Sequence, residues 1–323
     1  MLVTARRASA ILYNLLKSIK DDRAFLLPAS ICPIVPLTFL KAGRAFEFVD
    51  ISPDTLVMNS SETLRRLRRH RGRYAGVLFV RAYGAMFPME ELFRAIKEID
   101  PSLLIVDDRC LTPPEFDAAD EDTDVVLYST GVSKYADIAV GGLGRIRDGI
   151  PYSVHATDFR EEDLLQLTAS YKRAVAERVQ FNYVDSAWLD NRPLGMSNSK
   201  YERVAADNVR DIREWKKAIN AVYAENLPGD IQLPSAYQNW RFNVFVPESD
   251  WMMKSIFSQG HFASSHFASL QGIFSQGPAA MHAENVGGRI VNLFNDRHYS
   301  PEKAFALTRI IREHVKEACC VNK

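Results

Sequence analysis

Short apolar runs alternate with segments of helical periodicity over the first 150 residues. The apolar runs end at Pro, Asp, Arg or Ser, and most of the periodic segments are bounded by Gly, Pro or Ser. The runs predict strands at 24–28, 46–51, 75–80, 103–106, 125–128 and 143–146, and the periodic segments predict helices at 9–20, 33–42, 60–70 and 89–99. Strands and helices that alternate in this way predict βαβ units and a mostly parallel sheet.

The pattern changes beyond residue 150. A charged helical segment covers 158–184, and an irregular stretch at 189–199 leads into a long helix at 200–226. The elements predicted after it are strands at 241–246 and 289–294 and helices at 250–259 and 301–318. We therefore expect two domains, a large α/β domain over 1–190 and a small α+β domain over 191–323.

Composition and charge exclude several classes of function. The chain carries 40 basic and 40 acidic residues, so no global field attracts nucleic acid or an anionic membrane. The Arg-rich run at 65–73 is best interpreted as a solvated helix face and turn. No apolar run approaches the roughly 20 residues of a membrane span. The four cysteines lack metal-ligand spacing, and they favour a reducing, cytoplasmic environment with no metal site.

Lys134 is the most informative single residue. It follows the predicted strand 125–128 and a few small hydroxylated residues, and Gly141-Gly142 comes shortly after it. A bare ammonium between two buried strands is costly, so such a lysine is either paired or acts as an amine nucleophile. Schiff-base chemistry, including that of pyridoxal 5′-phosphate (PLP), needs an amine of this kind. For the lysine alone, a surface position at a strand end is the better interpretation.

Two further residues at strand ends favour the amine nucleophile over the surface lysine. Asp108 ends the apolar strand that precedes 125–128, and its carboxylate could bind a metal, act as a base, pair with a protonated ring nitrogen, or cap a turn. Ser129 begins the sequence Ser-x-x-x-x-Lys that ends at Lys134. Its hydroxyl, with amides from a helix start near Ala8 and Ser9, could hold a phosphate beside the lysine.

The order of these motifs resembles that of the DegT/DnrJ/EryC1/StrS family, which are sugar aminotransferases of the fold-type I PLP class. The matching passages are 27–33, 41–43, 48–51, 80–84, 106–108 and 129–134, followed by 239–242 and 289–293. The resemblance implies a fold-type I α/β fold, in which a mostly parallel seven-stranded sheet is flanked by helices and followed by the small domain. It also implies PLP held as a Schiff base by Lys134, with Asp108 on the ring nitrogen and Ser129, Ala8 and Ser9 at the phosphate.

Three weaker assignments also come from the resemblance. Cys32 stands where an aromatic residue often stacks on the ring, and Arg81 stands where the family has His. Asn191 loosely matches an Asn-x-Arg passage that reaches the cofactor of a second subunit, so a homodimer is expected.

The implied reaction moves an amino group from an amino acid such as glutamate to a keto sugar, nucleotide-linked, and no nucleic acid or membrane takes part. Two departures from the family leave alternatives open. Its Ser-Gly-Thr is replaced by residues 5–9, and Leu111 stands where the family has Gln or His. The alternatives are a PLP-dependent lyase or dehydratase and a degenerate, non-catalytic homologue.

Overall fold

A single seven-stranded sheet organises the first half of the chain. The computed structural model describes residues 1–116 and 123–321, without the side chains of 318–321. The strands of the main sheet are β1 (Leu2–Ala5), β2 (Ala24–Pro28), β3 (Phe46–Val49), β4 (Tyr74–Val80), β5 (Leu104–Asp108), β6 (Val125–Ser129) and β7 (Gly142–Ile146). They lie in the order β1-β7-β6-β5-β4-β2-β3. Only β7 runs against the other strands, so the predicted mostly parallel α/β fold is confirmed.

Helices cover both faces of this sheet, as the buried apolar strands require. The helices α1 (Ala8–Ser18) and α2 (Ile34–Ala42) pack on one face, and α3 (Ser60–Arg69) and α4 (Glu90–Ile99) pack on the other. Successive strand residues serve the two faces in turn, because side chains alternate along a strand. In β5, for example, Val106 contributes to the core of α1 and α2, whereas Ile105 contributes to the core of α3 and α4.

The second half of the chain builds a smaller sheet. Its helices and strands are α5 (Glu161–Glu177), α6 (Asn198–Asn226), β8 (Phe242–Phe245), α7 (Ser249–Ser258), β9 (Ala263–Ser264), α8 (Met281–Gly287), β10 (Ile290–Leu293) and α9 (Pro301–Val321). The strand β10 pairs antiparallel with β8 and with β9. A separate apolar core joins α6, α7 and α9 to this sheet. The main core also contains Leu233 and Leu270, which lie beyond the predicted domain boundary at residue 190. That boundary stays a prediction.

Three elements were not predicted from the sequence, namely β1, β9 and α8. The charged helix expected over 158–184 extends only over α5, and residues 151–160 have no regular structure. Within the described ranges, no helix is long and apolar enough to cross a membrane.

Candidate active site

The sheet places most of the predicted site residues around one cavity. Because parallel strands end at one edge of a sheet, the chain that follows β1, β2, β5 and β6 is brought together there. A cavity of about 220 Å³ opens at this edge, beside the first turn of α1. The predicted residues that line it are Ala8, Ser9, Cys32, Asp108, Ser129 and Lys134.

Asp108 presents a buried carboxylate to the cavity. Its side chain is 8% exposed, and Oδ1 accepts a hydrogen bond of 2.9 Å from the backbone N–H of Cys110. Burial raises the pKa of Asp108, although the Cys110 N–H and the charge of Lys134 act in the opposite direction. The carboxylate has no ion pair with any described residue. A cationic group placed against it would therefore be strongly favoured.

Lys134 faces the same cavity from a tight turn. Its backbone N–H donates to the carbonyl of Gly131 at 3.2 Å, and Ser133 before it has a left-handed φ of 62°. The indole N–H of Trp240 donates to the Ser133 carbonyl at 2.7 Å, which ties this turn to the C-terminal half of the chain. Among the described residues the Lys134 amine has no hydrogen bond or ion pair. The amine is therefore available to a ligand in the cavity.

The start of α1 and Ser129 line the same cavity as Asp108. Ser129 is 7% exposed, and its Oγ is within 3.4 Å of the Gly131 N–H. The residue before the helix, Arg7, has extended backbone angles (φ −141°, ψ 146°), and its side chain does not cap the helix. The first N–H groups of the helix consequently remain free to bind an anion.

The Gly141-Gly142 pair allows this close arrangement. A Cβ atom on Gly142 would lie only 2.3 Å from the backbone nitrogen of Ala8, and one on Gly141 would lie 2.3 Å from the hydroxyl oxygen of Thr130. The Gly141 N–H donates to the carbonyl of Arg6 at 2.9 Å. The glycines therefore let β7 approach the first turn of α1, a role beyond that of a simple turn.

Two thiols contribute to the walls of the cavity. Cys32 was predicted, whereas Cys110 was missed although it lies only two residues after Asp108. Burial raises the pKa of both thiols, so both remain neutral near pH 7. They act here as small apolar surfaces beside Val35 and Leu127.

The structure does not bring Arg81 to the cavity, in contrast to the expectation from sequence. Arg81 follows the strand next to β5, but its guanidinium lies on the opposite face of the sheet, where it binds both carboxylate oxygens of Asp107 at 2.7–3.2 Å. Asp107 also accepts from Arg109 at 2.7 Å. Because Asp107 and Asp108 are adjacent in a strand, they point to opposite faces, and Arg81 pairs with the one that faces away.

Asn191 is also outside the cavity. Its amide donates to the side chain of Asn14 at 3.0 Å and to the carbonyl of His155 at 2.6 Å. A role towards the cofactor of a second subunit stays a prediction.

Arg7 lines the cavity and was also missed from the sequence. The family motif has no cation at this point, so the resemblance gave no signal for it. Arg7 directly precedes a helix whose N-terminus was predicted to hold a phosphate, and this position could have identified it.

The residues present fit PLP. The cavity is lined by hydroxyl, amide and guanidinium donors, by the amine of Lys134 and by the buried carboxylate of Asp108. These groups match the phosphate, the carbonyl carbon and the ring nitrogen of that cofactor, and the carboxylate forms no ion pair with a described residue. No cluster of three or more potential metal ligands occurs in residues 1–116 and 123–321.

The fold is that of the PLP-dependent aminotransferases. A DegT/DnrJ/EryC1/StrS aminotransferase from Brucella abortus is similar over 97% of this chain and 86% of its own, with 15% identity and a TM-score of 0.64. The protein DesI, solved with its TDP-sugar product, is similar over 97% of this chain and 80% of its own, with 15% identity and a TM-score of 0.71.

A Streptococcus pneumoniae protein, named as a candidate sugar aminotransferase and solved in its PLP form, gives a third match. It is similar over 98% of this chain and 87% of its own, with 12% identity and a TM-score of 0.70. These likenesses confirm the predicted fold. No protein-family model matches the chain, and no curated protein matches it in sequence.

Proposed function

We propose that this protein is a PLP-dependent aminotransferase that transfers the amino group of an amino acid, with glutamate as the expected donor, to a nucleotide-linked keto sugar. The observation that carries the proposal is that one cavity contains both an amine without a hydrogen bond to a described residue and a buried carboxylate. Lys134 and Asp108 line one cavity without forming an ion pair with each other. The structurally similar proteins include sugar aminotransferases, which supports the substrate class.

Asp108 keeps a proton on the ring nitrogen of the cofactor. When bound, PLP supplies an electrophilic carbonyl carbon and a ring that accepts an electron pair. Because burial raises the pKa of Asp108, its ionised form is costly until a cation lies against it. The carboxylate therefore favours a protonated ring nitrogen, which is the form that draws electrons most strongly.

Lys134 has two tasks in the proposed reaction. Its Nζ atom would hold the cofactor at the carbonyl carbon when no donor is bound. As a free amine, Lys134 would take the proton from the donor Cα as general base and then give it up as general acid. The apolar wall that contains Leu12, Val35 and Leu127 keeps water from this transfer.

Ser129 and the first amides of α1 would hold the phosphate, and Cys32 would border the ring, since all of them line one cavity. The thiol of Cys32 is neutral and offers the ring a small apolar contact in place of an aromatic stack. We assign no role at the cofactor to Arg81.

A second copy of the chain is part of the proposal. Large apolar side chains are exposed together in the stretch that follows β7, with Val154 at 71%, Leu165 at 63% and Val184 at 76% exposure. The same stretch contains residues 151–160, which have no regular structure, and α5, most of which is exposed. Exposed apolar side chains are a common component of subunit interfaces, and Asn191 follows this segment.

Absorbance and mass spectrometry test the proposal. Purified protein with PLP should develop a visible band, and borohydride should then fix the cofactor to Lys134 and to no other lysine. The strongest competitor is the buried Lys216, where burial lowers the pKa to about 7, but its amine already donates to the Trp240 carbonyl and to Asn295, both at 2.8 Å. Fixation at Lys216, or a band that persists in Lys134→Ala, would contradict the assignment.

The half-reaction separates an aminotransferase from the alternatives. Glutamate should convert bound PLP to pyridoxamine phosphate, with one 2-oxoglutarate released for each site, and a nucleotide-linked keto sugar should restore the band. Bound PLP that no amino acid converts would instead favour a non-catalytic homologue. Release of ammonia or of a cleaved product without pyridoxamine phosphate would favour a lyase or dehydratase.

A further inference from the structure

We propose that the guanidinium of Arg7 is a direct ligand of the cofactor phosphate. It would supply by charge what the family's Ser-Gly-Thr supplies by hydroxyl and amide groups. The inference rests on the proposed function, since it concerns the same cavity, but it assigns a role to a residue that the family motif does not contain.

Arg7 is a cation without a partner. It lies between β1 and α1 and lines the cavity, and its side chain has no hydrogen bond or ion pair with any described residue. The preceding arginine is different, because the Nε of Arg6 donates to Asp190 at 2.8 Å. Of two adjacent arginines, one is therefore engaged in the structure and the other points into the candidate site.

The charge of Arg7 opposes the helix that follows it. A helix N-terminus carries partial positive charge, so a cation beside it is unfavourable and an anion is favourable. Arg7 precedes the first residue of α1, and the first turn contains no acidic residue that would compensate. An anion held between the guanidinium and the free amides of Ala8 and Ser9 would turn both unfavourable charges into attractions.

The surrounding groups supply the rest of an anion site. A Cβ atom added to Gly131 would lie 3.4 Å from Nη1 of Arg7 and 3.6 Å from Oγ of Ser129. The guanidinium and the hydroxyl therefore both border the space that a Gly131 side chain would fill, and one phosphate there can contact both. Asp108 is the only carboxylate among the described residues that line the cavity, so nothing there repels a dianion at the Arg7 end.

A consequence follows for recognition of the cofactor. The Lys134 amine and Asp108 act on the ring, which PLP and pyridoxal share. Arg7 acts only on the phosphate, which pyridoxal lacks. Arg7 should therefore determine how strongly the protein prefers the phosphorylated cofactor.

The test compares PLP with pyridoxal in wild type, in Arg7→Gln and in the matched control Arg6→Gln. Because a hydrogen bond to a charged group is strong, Arg7→Gln should raise the Kd for PLP about 10–100-fold, with pyridoxal affinity unchanged within about twofold. Arg7→Lys should recover part of the lost affinity, since lysine keeps the charge but lacks the paired N–H donors of the guanidinium. Arg6→Gln should bind both compounds like wild type.

A second measurement does not depend on Lys134 chemistry. Inorganic phosphate should raise the melting temperature of the wild-type apoprotein and should not raise that of Arg7→Gln. Without phosphate, the variant should melt at or above the wild-type temperature, because it lacks the charge that opposes the helix. That result would also show that the variant is folded.

The outcomes separate this inference from the proposed function. If wild type binds PLP and pyridoxal but Arg7→Gln binds PLP equally well, or loses both compounds alike, the Arg7 assignment is wrong and the aminotransferase proposal stands. If wild type binds neither compound, both are wrong.

Discussion

Replacement of Gly142 by alanine tests whether the Gly-Gly pair holds the helix start against the sheet. The added Cβ would lie 2.3 Å from the nitrogen of Ala8, 2.5 Å from its Cα and 2.6 Å from the carbonyl carbon of Arg7. All three are backbone atoms, so no side chain can rotate away from the methyl group. Relief requires about 1 Å of movement between β7 and α1, compared with ordinary contact distances of about 3.5 Å.

The cost can be estimated from this geometry. Overpacking of a well-filled interior typically costs about 1–3 kcal/mol. In a chain of this size, each kcal/mol lowers the melting temperature by about 2 °C. We therefore expect Gly142→Ala to lower it by about 2–6 °C and, because the helix start moves away from the cavity, to weaken PLP binding about tenfold.

Gly229→Ala is the matched control, since a Cβ on Gly229 would meet no atom within 4 Å. Its stability should stay within about 0.5 kcal/mol of wild type. Thermal melts and PLP titrations of both variants give the comparison. If Gly142→Ala and Gly229→Ala are equally stable, the close approach is refuted. If only stability falls and PLP affinity does not, α1 takes no part in the phosphate site.

Three further predictions follow from single contacts. Asp108→Asn should stabilise the apoprotein and weaken PLP binding. Because burial raises the pKa of Asp108, the native wild-type protein binds the extra proton and loses stability as the pH rises above the ordinary Asp value. Identical melting temperatures of the two apoproteins from about pH 4 to 7 would contradict this. Trp240→Phe should cost about 1 kcal/mol and slow the reaction of Lys134 with PLP, because it removes the N–H that holds the Ser133 carbonyl, and unchanged melts and rates would count against it. Val184→Glu should shift the protein from dimer to monomer in sedimentation equilibrium, and an unaltered dimer would exclude this side chain from the interface.

The strands of the main sheet were predictable because their signals are local. The strand predicted at 24–28 matches β2 at both ends, and most other boundaries differ by one or two residues. Gly43 ends α2 with a left-handed φ of 71°, which a glycine after an apolar periodic segment predicts. By contrast, β1 is a short strand whose partner β7 lies far along the chain, so its pairing left no local pattern.

The sequence predicted which strand ends carry the site residues, but not which face of the sheet each side chain takes. Strand ends located Asp108, Ser129 and Lys134, since the carboxyl edge of a parallel sheet follows from the alternation of strands and helices. Arg81 was assigned to the site from the family resemblance, because it stands after a strand where the family has His. Which face a side chain takes depends on strand parity and on competing partners, and the sequence does not specify the partner.

The two adjacent aspartates at the end of β5 differ in their partners. Both are buried and have the same side chain. Asp107 is 0% exposed and accepts hydrogen bonds from Arg81 and Arg109, so its charge is neutralised within the fold. Asp108 has only one backbone N–H from the following turn. A buried charge without a partner destabilises the fold, and Arg7, which lines the same cavity and is half-buried, has no ion pair with a described residue. A molecule that carries a cationic ring nitrogen and a dianionic phosphate would give both side chains a partner, which is the charge pattern that the proposed cofactor has.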